Sequence, residues 1–170
     1  SFVARTHDLD RQHMIDTFRA AHAHKGASFV EIYQNCNVFN DGQFENVTKK
    51  QVRDEMMINL VHGEPITFGA EGQRAVVMGS DGQLRLVERS DVDPVDVLVH
   101  DAHRADPSLA FALARLSNDD DSPTPFGVFR DIDRPEYAAA VGDQVVAASA
   151  AKGPGDLAAL LRSNGTWTVN

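Results

Sequence analysis

Two short segments hold the residue types in this sequence that could carry out chemistry. The first contains Cys36, inside the run QNCNVFNDG that directly follows an apolar stretch. A thiol at the carboxyl end of a strand lies where parallel α/β sheets place their ligand sites. A lone cysteine is also commonly a buried, small hydrophobic residue, and a catalytic thiol needs a base close to it. The spacing of the seven histidines ties none of them to Cys36, so its role stays open at this point.

The second segment is HDAHRAD, in which His100, Asp101, His103 and Asp106 are candidate ligands for a metal ion. Mixtures of imidazole and carboxylate bind hard and borderline cations, so this segment could serve a metal-dependent hydrolase. Residues of these types also stand before many helices, where they cap backbone N–H groups. The sequence leaves both interpretations open.

The other titratable residues give weaker signals. Glu31 lies within a predicted strand, where it could pair with a cation, face a partner subunit or act in catalysis, but no second carboxylate stands at a fixed spacing from it. His7, His22 and His24 are expected at the surface or at helix ends, where a cation in the last turn complements the helix dipole.

Composition narrows the class of protein. The net charge of −9 disfavours nucleic acids and anionic membranes as partners, and the one basic cluster, Lys49, Lys50 and Arg53, is explained by a solvated helix face. A single cysteine excludes an internal disulfide and suits a reducing cytoplasm. No apolar run reaches the roughly 18 residues that a membrane span needs. The phosphate-binding patterns GxxxxGK[ST] and GxGxxG are absent, as is CxxC. We expect a cytoplasmic protein of one domain, or of one domain with an appended lobe.

The order of predicted elements favours an α/β fold. A strand end at residues 2–4 is followed by a helix that Asp8 caps and that ends near Lys25 and Gly26. Residues 28–34 then form one strand, long enough to be buried. Strand, helix and strand in this order are typical of a parallel sheet. Because the apolar run SFVAR begins at Ser1, we expect either a trimmed start or a longer polypeptide upstream.

Further along the chain the periodicity changes. Thr48 and Gln51 form a capping-box pattern that predicts a second helix as far as His62. A β-hairpin is predicted around the turn at residues 79–82, a helix with a leucine stripe after Asp106, and a strand over 126–130. From about residue 134 the chain becomes rich in alanine, and AASAAKGPGD has the composition of a linker.

The sequence resembles the β subunits of 2-oxoacid:ferredoxin oxidoreductases, particularly the 2-oxoglutarate type. The resemblance covers most of residues 1 to 135, and its segments are SFVARTHDLDRQH, AHKGASFVEIYQNCNVFNDG, ITFG, HDAHRADPSLAFALARL and PFGVFRDI. The run SFVEIYQNCNVFNDG is the most specific, since it combines strand, cysteine and turn in one order. The alanine-rich tail adds no support.

The resemblance implies a division of the chain. Residues 1–36 would be the last part of a parallel-sheet domain that binds thiamine diphosphate. Residues 37–135 would be a small α+β extension at the C-terminal end of the β subunit, and residues 136–170 an alanine-rich tail that we expect to be flexible. The family's GDGD motif, which holds diphosphate and magnesium with a later asparagine, does not stand in this sequence and would lie upstream of Ser1.

The family's chemistry is the oxidative decarboxylation of a 2-oxoacid with coenzyme A, giving an acyl-CoA and carbon dioxide, with electrons passed to ferredoxin. The complete β subunit carries thiamine diphosphate, magnesium and a [4Fe-4S] cluster, and the α subunit completes the active site. Four-iron clusters generally take four thiolates, often one far from the others in sequence. Cys36 matches the family's remote fourth cluster cysteine. Under this interpretation HDAHRAD is structural.

We therefore expect a fragment of the β subunit that is inactive alone, with the α subunit, ferredoxin, a 2-oxoacid and coenzyme A as partners in the complex. No nucleic acid or membrane partner is expected, and the fragment alone should bind none of the cofactors. A different class of protein, a non-catalytic interaction or assembly domain that binds a partner subunit, is the alternative. The absence of every phosphate motif favours it.

Overall fold

A computed structural model describes residues 1–117, 122–167 and 169. The chain divides into two compact units, Ser1–Arg134 and Pro135–Asn170. The helices and strands are β1 (Phe2–His7), α1 (Arg11–Ala23), β2 (Ser28–Tyr33), α2 (Glu45–Thr48), α3 (Arg53–Met56), β3 (Met57–Leu60), β4 (Thr67–Phe68), β5 (Arg74–Met78), β6 (Leu84–Glu88), α4 (Ser108–Ala114), β7 (Thr124–Asp131), α5 (Tyr137–Lys152) and α6 (Leu157–Leu161).

The main sheet has the strand order β2-β1-β7-β3. Strands β1 and β2 are parallel, which confirms the predicted strand–helix–strand unit. Strand β7 is antiparallel to β1 and parallel to β3, so the sheet is mixed. The fold class is therefore a mixed α/β fold that contains a parallel strand pair. Its assignment to a thiamine-diphosphate-binding domain stays a prediction.

Strand β7 ties the two halves of the first unit together. It lies between β1 and β3, and Phe126 is fully buried there. Gly127 adopts a φ of +117°, and a Cβ at this position would lie 2.6 Å from the carbonyl oxygen of Leu60. The segments 1–36 and 37–135, which the resemblance separates, thus share one sheet in this chain.

A second sheet, β4-β5-β6, contains the predicted hairpin. Strands β5 and β6 pair antiparallel around the turn at residues 79–82, as the sequence predicts. Helix α4 follows Asp106, whose Oδ1 accepts a hydrogen bond from the Ser108 backbone N–H, and it buries Leu109 and Leu113. The main core contains Ile58, Leu60, Ile66, Phe68, Val76, Leu109, Leu113 and Phe129.

The first helix begins later than predicted. Asp10, rather than Asp8, caps α1, since its Oδ1 accepts a hydrogen bond of 3.0 Å from the His13 backbone N–H. The helix ends at Ala23, two residues before the predicted stop. Because β1 continues to His7, residue 8 lies too close to the strand to adopt the cap position.

The second predicted helix is wrong over most of its length. Only α2 and α3, of four residues each, are helical, and residues 57–60 form β3. Met57, Ile58 and Leu60 are buried. Residues 57–60 pair in parallel with β7, so their backbone N–H and C=O groups form hydrogen bonds in the sheet instead of within a helix. Tertiary pairing therefore overrides the capping-box signal of Thr48 and Gln51.

The second unit is largely helical. Helix α5 runs to Lys152, so most of AASAAKGPGD is helical rather than a linker, and Gly153 with a φ of 77° ends the helix. The carboxylate of Asp156 then caps α6. Helix propensity explains the difference, because alanine is the strongest helix former. Among the described residues, no helix combines the length and the apolar character needed to cross a membrane.

Candidate functional site

The loop that follows β2 contains Cys36 at the carboxyl end of the parallel strand pair. β1 and β2 run in register from Phe2↔Ser28 to His7↔Tyr33, so their carboxyl ends lie side by side. Cys36 forms an isolated antiparallel bridge with Asn40, whose N–H donates to the Cys36 carbonyl at 2.9 Å. The predicted position at the edge of a parallel pair is thus the one observed.

The side chain of Asn35 fixes the shape of this loop. Its Nδ2 donates to Asn37 Oδ1 at 2.8 Å and to Asp41 Oδ1 at 2.9 Å. Its Oδ1 accepts from the Gly42 backbone N–H at 2.8 Å. Asn35 therefore connects the start of the loop to its end, and the loop from Asn35 to Gly42 closes around the cysteine.

The Cys36 thiol lies in a favourable environment for a thiolate. The pKa of this thiol is lowered because the backbone N–H of Phe39, and then that of Val38, donate to the sulfur. Both N–H groups belong to the closed loop, so the chain's own backbone prepares the sulfur to carry negative charge. The residues fit a metal–thiolate ligand, and this chain offers one such ligand only.

The surface around the loop is apolar. Phe39 is 91% exposed, and Val38 is also exposed. Strand β2 was predicted to be buried, but Phe29 is 64% exposed and Ile32 is exposed as well. The reason is that β2 is the edge strand of the sheet, with β1 on one side and no strand of the described residues on the other. An exposed apolar edge of this kind is typical of an interaction surface.

Glu31 takes the structural role among its predicted alternatives. Its Oε2 accepts a hydrogen bond of 2.6 Å from Arg5 Nε, on the neighbouring strand β1. The Arg5 guanidinium also lies over the ring of Tyr33, 5.1 Å from the centroid. This pairing engages one oxygen of the Glu31 carboxylate, which corresponds to the predicted pairing with a cation.

The HDAHRAD residues are held in different places. His100 is 1% exposed, and its Nε2 lies 2.7 Å from the Val128 carbonyl oxygen in β7, where it acts as a donor. His103 Nδ1 lies 2.7 Å from the Asp131 carbonyl oxygen, and Asp101 Oδ1 accepts from the His103 backbone N–H. Across the described residues, no group of three or more His, Cys, Asp or Glu is arranged to hold a metal ion. The segment joins the end of the second sheet to β7.

A histidine that the sequence did not single out lies beside this segment. The His62 and His103 rings are 4.4 Å apart and edge to face. His62 Nδ1 accepts a 3.3 Å hydrogen bond from the Ala102 backbone N–H. The separation of 40 positions hides this pairing from any analysis of local spacing.

Of the histidines expected at the surface or at helix ends, His7 is buried within a strand instead, whereas His24 is at the predicted helix end, as the C-cap of α1, with a buried side chain. His7 is 1% exposed and packs edge to face against Phe126, with ring centroids 5.2 Å apart. The His24 side chain is fully buried, and its Nδ1 lies 2.7 Å from Asp131 Oδ1. His7 and His24 both pack against β1 or β7. Strand β1 continues to His7, beyond the apolar residues 2–4 from which it was predicted.

Arg53 also departs from its predicted position on a solvated helix face. It is half-buried at the start of α3, and its Nε is buried without a hydrogen-bond partner. The predicted helix that would have exposed it is interrupted by β3. In the sequence, the only indication of a binding site at Arg53 was its positive charge within the basic cluster.

The fold and this edge define a mixed α/β domain with a thiolate-stabilising loop at the carboxyl end of a parallel strand pair. No protein-family model matches the chain, and no solved structure matches it. The chain is 44% identical over 172 aligned positions to the 2-oxoglutarate oxidoreductase subunit KorB of Mycobacterium tuberculosis, an alignment that covers 100% of this chain and 46% of KorB. This similarity runs along the whole chain and confirms the resemblance to 2-oxoglutarate oxidoreductase β subunits seen in the sequence. It spans about half the length of this relative.

Proposed function

We propose that this chain is the C-terminal portion of the β subunit of a 2-oxoglutarate:ferredoxin oxidoreductase and that it functions only in the complete complex. The overall reaction releases carbon dioxide from the 2-oxoacid, transfers the acyl group to coenzyme A and passes two electrons to ferredoxin. The observation that carries this proposal is the 44% identity to the KorB subunit along the entire chain. A reducing cytoplasm is the compartment that suits the single free cysteine.

Cys36 is the residue that we propose as a ligand of the [4Fe-4S] cluster. Two features support it: the lowered pKa of the thiol, caused first by the Phe39 N–H and then by that of Val38, and the closed loop held by Asn35. N–H groups directed at a ligating sulfur are among the factors that tune such clusters. The cluster would supply electron transfer when bound. Its three other thiolates come from outside this chain, which has one cysteine.

The other cofactors are assigned to the remainder of the subunit. We assign thiamine diphosphate and magnesium there because the GDGD motif, which holds them in the family together with a later asparagine, does not stand in this sequence. The role of this chain toward the active site is then structural and electron-transferring. The exposed apolar edge at Phe29, Ile32, Val38 and Phe39 is the surface that we assign to contacts within the complex.

The test uses the complete oxidoreductase, in which this chain is part of the β subunit. We would compare wild type with Cys36→Ser and with Gln34→Ala, a control at an exposed position directly before the loop. The readouts are iron and sulfide content, the electron paramagnetic resonance signal of the reduced cluster, and ferredoxin reduction that depends on both 2-oxoglutarate and coenzyme A.

We expect Cys36→Ser to lose most of the cluster and of the ferredoxin reduction, while Gln34→Ala keeps both. A serine variant with a full complement of iron and an unchanged resonance signal would remove Cys36 from the ligand set. It would leave the assignment to the enzyme complex intact if the wild type is active.

The alternative function is a non-catalytic interaction or assembly domain that binds a partner subunit. The open edge of β2, with Phe29 largely exposed, favours it. The same experiment separates the two functions. A wild-type complex that assembles but contains no iron and reduces no ferredoxin with 2-oxoglutarate would establish the interaction domain.

A further inference from the structure

A cavity of about 400 Å³ lies in the first unit, next to the start of β3. Its lining residues are Asp10, Arg53, Asp54, Met57, Asn59, Thr67, Phe68, Gly69, Ala70 and Gly72. They come from the start of α1, from α3 and β3, and from the turn between β4 and β5. The volume is in the range of small-ligand sites.

Three hydrogen-bond donors on the wall of this cavity have no acceptor among the described residues. The most telling is Arg53, whose Nε is buried without a partner and whose guanidinium is in no ion pair of the described chain. The hydroxyl of the half-buried Thr67 and the amide of the exposed Asn59 likewise donate to no described group. Burying part of a guanidinium costs free energy unless an acceptor compensates for it.

The other polar groups of the wall are already engaged or solvated. The Gly69 backbone N–H donates to the Asp54 carbonyl at 2.9 Å, and the Gly72 N–H donates to Gly69 at 3.0 Å. The Asp10 carboxylate caps α1. Asp54 is exposed, so water screens its charge more than that of the half-buried Arg53.

We propose that this cavity binds a small oxyanion, carboxylate or phosphate, with Arg53 as the principal donor and with Asn59 and Thr67 as additional donors. A guanidinium matches either group with two parallel hydrogen bonds. The inference concerns a site other than Cys36 and does not rest on the proposed function.

The charge of Arg53 also reaches the end of β1. The pKa of His7 is lowered, first by burial and to a smaller extent by the positive charges of His13 and Arg53, while the Asp10 and Asp8 carboxylates oppose the shift. A bound anion would offset the Arg53 contribution. Occupancy of the cavity therefore has a second reporter in the titration of His7.

The first experiment measures thermal unfolding of the full chain with potassium phosphate or sodium succinate, against potassium chloride at the same ionic strength. The variants are Arg53→Gln and the control Arg89→Gln, which removes an exposed arginine elsewhere in the first unit. Binding to the folded state raises Tm as the anion concentration passes its Kd. We expect a saturable rise with one or both anions in wild type and in Arg89→Gln, and its loss in Arg53→Gln.

The second experiment locates the site by following the backbone amide resonances of Gly69 and Gly72 during the same titrations. These signals should shift with the saturation curve of Tm in wild type, and the His7 ring should titrate at higher pH when the anion is bound. Arg53→Lys serves if Arg53→Gln does not fold. It keeps the charge but loses the planar fork, so we expect the Kd to rise by about tenfold or more.

The two probes distinguish the sources of the oxyanion. A saturable response to phosphate alone indicates a phosphate-bearing ligand, and one to succinate alone a carboxylate-bearing ligand or a partner side chain. The proposal is overturned if neither anion exceeds chloride in wild type, or if the folded Arg53 variant responds as wild type does.

Discussion

The loop from Asn35 to Gly42 and the HDAHRAD segment both attract attention in the sequence, yet they use their polar groups in opposite ways. In the loop, side chains and backbone N–H groups bond among themselves and leave the Cys36 sulfur with donors directed at it. In HDAHRAD, the ring of His100 is buried and bonded to Val128, and His103 is bonded to Asp131. The first arrangement prepares an atom for a ligand, and the second uses its atoms to join β7 to the preceding segment.

Residue type alone therefore did not distinguish the two regions. HDAHRAD offers several candidate metal ligands close together in sequence, whereas the loop offers Cys36 as its one thiol. What separates them is whether the atom that would bind a metal stays accessible, as the Cys36 sulfur does, or lies in a buried ring, as in His100. The burial of His100 depends on where β7 lies. The position of β7 is a long-range property, since it pairs with β1 more than a hundred residues away.

The largest effect is expected from His100→Ala. This change removes a buried hydrogen bond to Val128 and leaves a cavity, so the first unit should lose about 2–4 kcal/mol of stability. His103→Ala removes an exposed bond to the same strand and should cost less than about 1 kcal/mol. Hydrogen exchange of the β1 and β7 amides measures both free energies.

A cost for His103→Ala equal to that for His100→Ala would show that the two histidines contribute alike to the joint with β7. A negligible cost for both would remove the structural role that we assign to HDAHRAD. Either result would weaken the contrast with the Cys36 loop.

The parts of the fold that local pattern could predict are those stabilised by local interactions. The hairpin around residues 79–82 has a turn signal between two apolar runs, and α4 has a polar start with a leucine stripe. The β1–α1–β2 unit follows from its order along the chain. By contrast, β3 is a strand only because β7 pairs with it, and the capping-box signal before it predicted a helix.

The candidate site divides in the same way. Cys36 could be located because the strand, the cysteine and the turn are consecutive in sequence. His62 and Arg53 could not, because their neighbours in space are distant along the chain. The exposure of β2 was not predicted, because a short apolar run does not indicate whether a further strand pairs with it on its other side.

The acid side of the stability curve gives the second test. Burial is the main cause of the lowered pKa of His100, His7 and His13. Unfolded histidines bind protons below their ordinary pKa of about 6.5, whereas these folded ones resist protonation, so the first unit should lose stability as the pH falls below about 6.5. His100→Gln should reduce this slope, because an amide can still donate to Val128 but does not titrate.

Cys36→Ser is the matched control for that test. The lowered pKa of a thiol changes the slope of stability with pH only between its folded-state pKa and the ordinary thiol pKa of about 8.5, and the added stability grows as the pH rises. The serine variant should therefore show the same loss of stability toward acid pH as wild type, because that loss comes from the histidines. An acid slope in His100→Gln equal to that of wild type would mean that the neutral imidazole of His100 is not what acid disrupts.

The smallest effect on stability, and the sharpest test of the loop, is expected from Asn35→Ala. It removes the bonds to Asn37, Asp41 and Gly42 from an exposed loop, at a cost of about 1 kcal/mol or less. Once the loop opens, the N–H groups of Phe39 and Val38 no longer face the sulfur, and the Cys36 pKa should rise toward its ordinary value. The alkylation rate by iodoacetamide, followed from pH 6 to pH 10, measures that pKa.

Asn37→Ala is the control, since it removes one of the three bonds and should keep most of the wild-type dependence of the alkylation rate on pH. If Asn35→Ala also keeps it, the backbone alone holds the N–H groups in place, and the thiolate environment of Cys36 does not depend on the side-chain network that closes the loop.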